Sequence, residues 1–378
     1  MTKKEFRHYL SAPFVVQEDL EAVSNALASG WVAPVGPHLL AFEQSVANFV
    51  GTEHAVALSS GTAAIHLGLL AMGVQPGDVI LTSTLTFAAT AFPARYVGAR
   101  ILLADVDSDW NLDVECVSRA IDFAKRKLKP IRVVIPVDLY GRCADYQNLM
   151  PLFNDAGITV LEDAAEALGA KSEGTQAGAF GDVGVFSFNG NKIITSSGGG
   201  MLLTNDGEIA SHVRKMSTQA RERVHWYEHR EVGYNYRLSN ILAALGNSQF
   251  DRLDSIVEAK RRIRSLYAQN LAGLEGVRIK DSDNQNTNAW LSIMILDESQ
   301  RAGLRDHVYT DLHDLGYECR FIWKPLHEQP TFKDCSAFLN GNAAAAFERG
   351  LCLPSSVGMS EEDVEQVCNS IIQTVTRF

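Results

Sequence analysis

Cysteine is scarce in this chain of 378 residues. The six present (Cys116, Cys143, Cys319, Cys335, Cys352 and Cys368) are scattered with no C-x-x-C spacing. That dispersion fits neither a disulfide scaffold nor a zinc site, and it suits a reducing compartment, so the expected location is the cytoplasm. Long apolar runs are missing too. Stretches such as "AAIHLGLLAMGV" fall short of the roughly 20 residues that span a bilayer and carry a histidine, and "MTKKEFRHYL" lacks a secretory core. No membrane partner is expected. Basic residues are in deficit, 34 against 45 acidic ones, for a formal net charge of -11. This argues against nucleic acid as a partner and means that any bound anion needs a local site. Linkers rich in Pro or Gly, low-complexity tracts and internal repeats are all absent.

What the chain does contain is core material in a regular rhythm. Its composition is 46% hydrophobic, and the usual span of roughly 150 residues per domain predicts two to three domains. "HAVAL" (54–58), "DVILTS" (78–83), "ARILLADV" (99–106), "IRVVIPVD" (131–138), "GITVLED" (157–163) and "GVFSF" (184–188) read as buried strands, most of them separated by helix-length segments. That alternation predicts an α/β fold with a mostly parallel sheet between helices. From about Ser239 the pattern turns helical, and a smaller α+β part follows with strands near 276–280 and 290–296. The boundary is placed near Asp251, giving domains over 1–250 and 251–378 that pack as one unit.

Ligands of open α/β sheets bind beyond the carboxyl ends of the strands, so the residues there carry the functional information. "SSGTAAIHLGL" follows the first strand. Gly61 permits close approach of the backbone, and the helix N-terminus with the Thr62 hydroxyl can cradle a phosphate, although an ordinary Ser/Thr cap reads the same way. Asp163 ends the strand "GITVLED", with Glu166 three residues on; a cap is the alternative. Phe87 lies just past "DVILTS", where an aromatic is usually core. Lys192, in "SFNGNKIITSSGGGM", sits on neither a charged helix face nor a basic cluster, and burying a lysine is costly unless its amine is used. An anion cradle, a strand-end carboxylate, an aromatic and an isolated amine together match the needs of pyridoxal phosphate. A dinucleotide is the rival, but no G-x-G-x-x-G follows the first strand.

These motifs, with "TFAATAFPARYVGA", "DVDSDWNLD", "PVDLYGRCAD", "LEDAAEALGA", "GDVGVFSFNGNKIITSSGGGML", "GYNYRLSNILAALG" and "ERGLCLPSS", resemble the nucleotide-sugar aminotransferases of the DegT/StrS group, which are fold type I pyridoxal phosphate enzymes. The resemblance implies a large domain with a sheet of the seven-stranded type and a smaller α+β domain. It makes Lys192 the lysine that binds the cofactor covalently and carries the proton, and Asp163 the partner of the pyridinium nitrogen. Gly61, Thr62, Ala63 and Ser187 would hold the phosphate, Phe87 would stack on the ring, and Glu166 would lie near its phenolic edge. Many relatives have glutamine or histidine at that last position, and an ionised Glu can only accept hydrogen bonds.

The resemblance further implies a homodimer with shared active sites, Asn235 reaching the partner's cofactor phosphate. It implies an L-glutamate donor and a nucleotide-linked keto-sugar acceptor, the cofactor passing through its pyridoxamine phosphate form. Lysine rather than histidine at 192 favours transamination over dehydration. "CRFIWKPLHEQPTF" (319–332) and "RERVHWYEHREVGYNY" (221–236) resemble the subgroup that aminates UDP-linked 4-keto-6-deoxy-N-acetylhexosamines, the bacillosamine type. Lys324, His327 and Trp31, the last in "SGWVAPVGP", are the expected substrate contacts. The alternatives are a dTDP-4-keto-6-deoxyhexose acceptor and a non-catalytic regulator that binds the cofactor.

Overall fold

The computed structural model describes residues 5–297 and 302–377. Two helices, α1 (Gln17–Ala28) and α2 (Pro37–Val50), precede a run of alternating elements. These are β1 (His54–Leu58), α3 (Gly61–Ala71), β2 (Val79–Ser83), α4 (Phe92–Tyr96), β3 (Arg100–Ala104), α5 (Val114–Lys127), β4 (Ile131–Ile135), α6 (Tyr146–Ala156) and β5 (Thr159–Asp163). A small hairpin, β6 (Lys171–Ser172) and β7 (Thr175–Gln176), leads into β8 (Val183–Ser187), β9 (Gly200–Thr204) and α7 (Gly207–Met216). After α8 (Asn240–Phe250) and α9 (Leu253–Leu271) come β10 (Val277–Ile279), β11 (Ser292–Leu296), α10 (Leu304–Asp314) and β12 (Arg320–Phe321). The chain closes with β13 (Ser336–Phe338), α11 (Asn342–Arg349), β14 (Gly350–Leu353) and α12 (Glu361–Arg377).

Local chemistry accounts for many of these boundaries. Ser60, Asp113 and Asp206 cap α3, α5 and α7 by accepting backbone N–H bonds, and Lys125, Arg126 and Lys127 place positive charge on the last turn of α5, where the helix dipole favours it. The large sheet has the order β1-β9-β8-β5-β4-β2-β3-β13. Its strands run parallel except β9, which is antiparallel to both β1 and β8. All six strands expected for this region are present. β9 was not among the expected strands. A Cβ at Gly200 would collide with the backbone of Ser60, so glycine is what lets β9 pass the entrance of α3.

β13 adds an eighth strand to the expected seven, pairing in parallel with β3 at Ser336–Leu102 through Phe338–Ala104. The other sheet, β10-β11-β14-β12, is antiparallel, and α9, α10 and α12 cover it through Ile263, Tyr267, Val308, Val364 and Ile371. The N-terminal stretch lies beside it, with the N–H of Arg7 2.7 Å from the carbonyl of Gly316. Between the two sheets lies a core containing Leu10, Trp110, Tyr140, Trp290 and Ile322. That core forms the floor beneath Lys192.

Candidate active site

Lys192 occupies the turn between β8 and β9, its N–H donating to the carbonyl of Asn189 at 3.0 Å. The side chain is 13% exposed, and Nζ stands 3.6 Å from Glu166 Oε1. The same Nζ lies 4.2 Å from the centroid of the Trp290 ring, within cation–π range. That ring is held in turn, since its indole N–H donates to the carbonyl of Asn191 at 2.6 Å.

Asp163 ends β5 and is buried. Its Oδ2 accepts from the Thr90 hydroxyl at 2.6 Å and its Oδ1 from the N–H of Ala165 at 3.1 Å. Burial raises this carboxyl above its ordinary range, while Thr90, Ala165 and the Lys192 charge pull it back. Glu166 is raised by the same cause, opposed by Lys192 and by the Tyr140 N–H, with the Asp163 charge adding to the rise. Tyr140 donates that N–H to Glu166 Oε2 at 2.8 Å from a left-handed backbone at φ 53°, a conformation disfavoured for a residue with a Cβ and typical of functional sites. Its phenol oxygen accepts from the backbone N–H of Trp323 at 3.0 Å, and the rings of Tyr140 and Trp323 lie parallel, 6.1 Å apart.

A cradle suited to an anion sits at the start of α3. Ser60 takes the N–H of Ala63 at 3.0 Å, and the amides of Gly61 and Thr62 have no acceptor within the helix. A Cβ on Gly61 would come within 3.1 Å of Ser187 Cβ, so the glycine keeps the end of β8 and the first turn of α3 in close contact. Phe87 is not core. It is 52% exposed, its ring 5.0 Å from that of Trp323, and its carbonyl accepts from Thr90.

The remaining expected contacts are distributed differently. His327 is tied to Thr84, its Nδ1 2.7 Å from the hydroxyl and its backbone N–H also donating there. Lys324 is exposed and its carbonyl accepts from Gln329. Trp31 is half exposed, and its carbonyl accepts from Asn240 Nδ2 at 2.8 Å. Asn235 is exposed and bridges to Thr218. Among the described residues no hydrogen bond, ion pair or ring contact joins the side chains of Trp31, Lys324 or Asn235 to the Lys192 cluster. Thr90, Tyr140 and Trp290 were missed. Tyr140 could have been found by the strand-end argument, since it follows β4; nothing local marks Trp290.

An amine against a buried carboxylate, a second carboxylate held by a hydroxyl, and open amides beside Gly61 and Ser187 form a donor set that fits pyridoxal phosphate. The profile of the DegT/DnrJ/EryC1/StrS aminotransferase family matches residues 13–372. The chain belongs to this family. Pyridoxal phosphate is its cofactor and amino transfer its reaction class. EpsN of Bacillus subtilis, which carries the name of a pyridoxal phosphate-dependent aminotransferase, is 40% identical over 371 residues, covering 96% of this chain and 95% of its own. GDP-perosamine synthase of Caulobacter vibrioides is 34% identical, covering 97% of this chain and 98% of its own. The structure of DesI in the presence of its TDP-sugar product superposes with a TM-score of 0.89 at 28% identity, covering 99% of this chain and 94% of that one. Membership in the family agrees with the α/β architecture of a large sheet and a smaller one. No helix among the described residues is long and apolar enough to cross a membrane.

Proposed function

We propose that this family member moves an amino group from L-glutamate to the C4 keto group of a UDP-linked 4-keto-6-deoxy-N-acetylhexosamine. The observation that carries the reading is the placement of Lys192 between Glu166 and Trp290, at the strand ends where Asp163 also emerges. When bound, pyridoxal phosphate supplies an electrophilic carbon and an electron sink. Lys192 anchors it and moves a proton at Nζ, within reach of Glu166 Oε1. Asp163, steadied by Thr90 and Ala165, serves the ring nitrogen. Gly61, Thr62, Ala63 and Ser187 hold the phosphate, and Phe87 covers the ring. The wall of Trp290, Tyr140 and Trp323 keeps water from the reacting side.

The acceptor follows from two stretches. "CRFIWKPLHEQPTF" puts Trp323 against Phe87, and the segment 221–232 carries Arg221 over the ring of Tyr227 at 4.1 Å. Guanidinium groups and exposed rings suit a diphosphate and a flat base. In this reading Trp31, Lys324 and His327 touch the sugar nucleotide, His327 after exchanging its bond to Thr84. The same exposed segment, with Trp226, Tyr227 and Val232, supports an isologous homodimer in which Asn235 completes the partner's site. The names of two relatives specify GDP and TDP sugars, so a dTDP-4-keto-6-deoxyhexose is the competing acceptor. The test is the absorbance of the bound cofactor on adding L-glutamate and then each keto-sugar. A band that falls with glutamate and returns with the UDP sugar supports the proposal; one that returns only with the dTDP sugar overturns its acceptor, and one that glutamate leaves unchanged overturns its donor.

A further inference from the structure

Two carboxyl groups with no part in the proposed chemistry stand directly behind it. Glu162 precedes Asp163 on β5, and since side chains alternate along a strand it points to the opposite face. It is fully buried. Its Oε1 accepts from the N–H of Gly178 at 2.5 Å, and its Oε2 from those of Phe180 and Gly181 at 2.8 and 3.3 Å. Asp138, three residues past β4, is equally buried. Its Oδ1 accepts from the Ala144 N–H at 2.8 Å and the Tyr146 hydroxyl at 2.9 Å. Its Oδ2 is buried without a hydrogen-bond partner, and the carboxyl it meets is that of Glu162.

Two ionised carboxylates in contact away from water repel strongly, and a buried oxygen lacking a donor is costly. One proton between them removes both difficulties. Glu162 already receives three backbone donors, which stabilise its charge, whereas Asp138 has the oxygen left over. We propose that Asp138 carries a proton on Oδ2 at neutral pH, donates it to Glu162, and through that shared proton fixes where Asp163 stands. The two are positioning residues. The backbone makes the same connection: the Asp138 N–H donates to the Asp163 carbonyl at 3.0 Å, and the Asp163 N–H to the carbonyl of Pro136 at 2.9 Å. Two residues further on, Tyr140 reaches Glu166. The positioning role rests on the reading of Asp163 as the ring-nitrogen partner; the shared proton does not.

The surroundings are neutral. The Tyr146 phenol and the Cys143 thiol face the pair, both pushed up by burial first and by these carboxyls second. Arg142 is engaged by Asp281 at 2.8 Å and Asp109 at 3.4 Å. Among the described residues no lysine or arginine pairs with either carboxyl. Burial, then contact with Glu162, holds Asp138 well above the ordinary carboxyl range. The folded chain thus keeps a proton that the unfolded chain releases, and this group's contribution to stability falls as pH rises from the ordinary carboxyl range toward its raised value.

Infrared spectroscopy of the full chain at neutral pH without cofactor tests the proton, comparing wild type with Asp138→Asn, whose amide preserves the donor to Glu162. A neutral-carboxyl band that vanishes in Asp138→Asn is expected, with wild type losing stability relative to that variant as pH rises. A missing band, or one that survives in Asp138→Asn and disappears in Glu162→Gln, overturns the assignment. Asp138→Leu keeps bulk and loses the donor. Its melting temperature should fall by several degrees and its affinity for pyridoxal phosphate several-fold, with Asp138→Asn close to wild type in both; equal losses in the two variants overturn the donor role. The expected band in a protein that binds no pyridoxal phosphate would support the shared proton and overturn the functional reading alone.

Discussion

The indole of Trp290 lies against the amine of Lys192, with Nζ 4.2 Å from the ring centroid, and its own N–H is bonded to the carbonyl of the residue before that lysine. One side chain from the second part of the chain therefore touches both the nitrogen of Lys192 and the turn that carries it. Trp290→Phe keeps a ring and loses the bond to Asn191, a cost of about 1–2 kcal/mol. Trp290→Ala opens a cavity in the core between the sheets and should cost about 3–5 kcal/mol. Urea unfolding gives both values, and turnover should drop in the same order.

Lys192→Ala tests the proposed chemistry directly. The lysine is partly exposed and pairs with Glu166 at 3.6 Å, so its loss should leave folding unchanged. Turnover should fall by at least ~10^3-fold, since positioned proton transfer alone contributes about 10^2–10^4. Appreciable amino transfer by the variant, measured as 2-oxoglutarate release, would contradict the role.

Thr90→Val removes the hydroxyl that donates to Asp163 at 2.6 Å. Burial already raises this carboxyl, and Thr90 is the first of the groups opposing the rise, so the variant's carboxyl rises further. In its proposed role Asp163 must be ionised to hold a protonated ring nitrogen. The acid limb of the rate–pH profile should move to higher pH by roughly one unit, the equivalent of a hydrogen bond of about 1.4 kcal/mol. An unmoved limb would remove Thr90 from this role.

Lys260 offers a second pH dependence of opposite sign. Its Nζ is buried among the Ser11 hydroxyl at 2.9 Å and the carbonyls of Trp290 and Ser355 at 3.2 and 2.6 Å, and burial pushes the amine down to about 7. Between there and the ordinary lysine value of about 10.4 the unfolded chain binds the extra proton. Its contribution to stability is full above that range and is lost as pH falls toward 7. Relative to Lys260→Met, the wild type should gain stability as pH rises from 7 to 10, as denaturant titrations at several pH values would read.

The strands were legible because each is a short apolar run bounded by turn residues, and a few consecutive side chains suffice to specify it. β9 was not, since its neighbours β1 and β8 supply the reason a glycine-led "GMLLT" is extended. β13 is similar: three residues, Ser336–Phe338, become a strand only where β3 offers an open edge. Among site residues, Lys192, Asp163, Glu166 and Gly61 stood out because they follow strands in a fold whose strand ends face one crevice. Phe87 was expected over the cofactor ring, although an aromatic just past a strand is usually core; it is exposed, because the turn after β2 ends beside Trp323 rather than inside the sheet.

By itself the sequence determined the alternation of strands and helices, the caps that begin α3, α5 and α7, and the identity of the amine and carboxylates at the strand ends, all properties of residues close along the chain. Only the tertiary structure decided that Thr90 would hold Asp163, that Tyr140 would turn its N–H to Glu166, and that Trp290 would lie against Lys192. Those contacts depend on which strands become neighbours and on how the second sheet docks, and both are settled by burial summed over the whole core rather than by any local pattern.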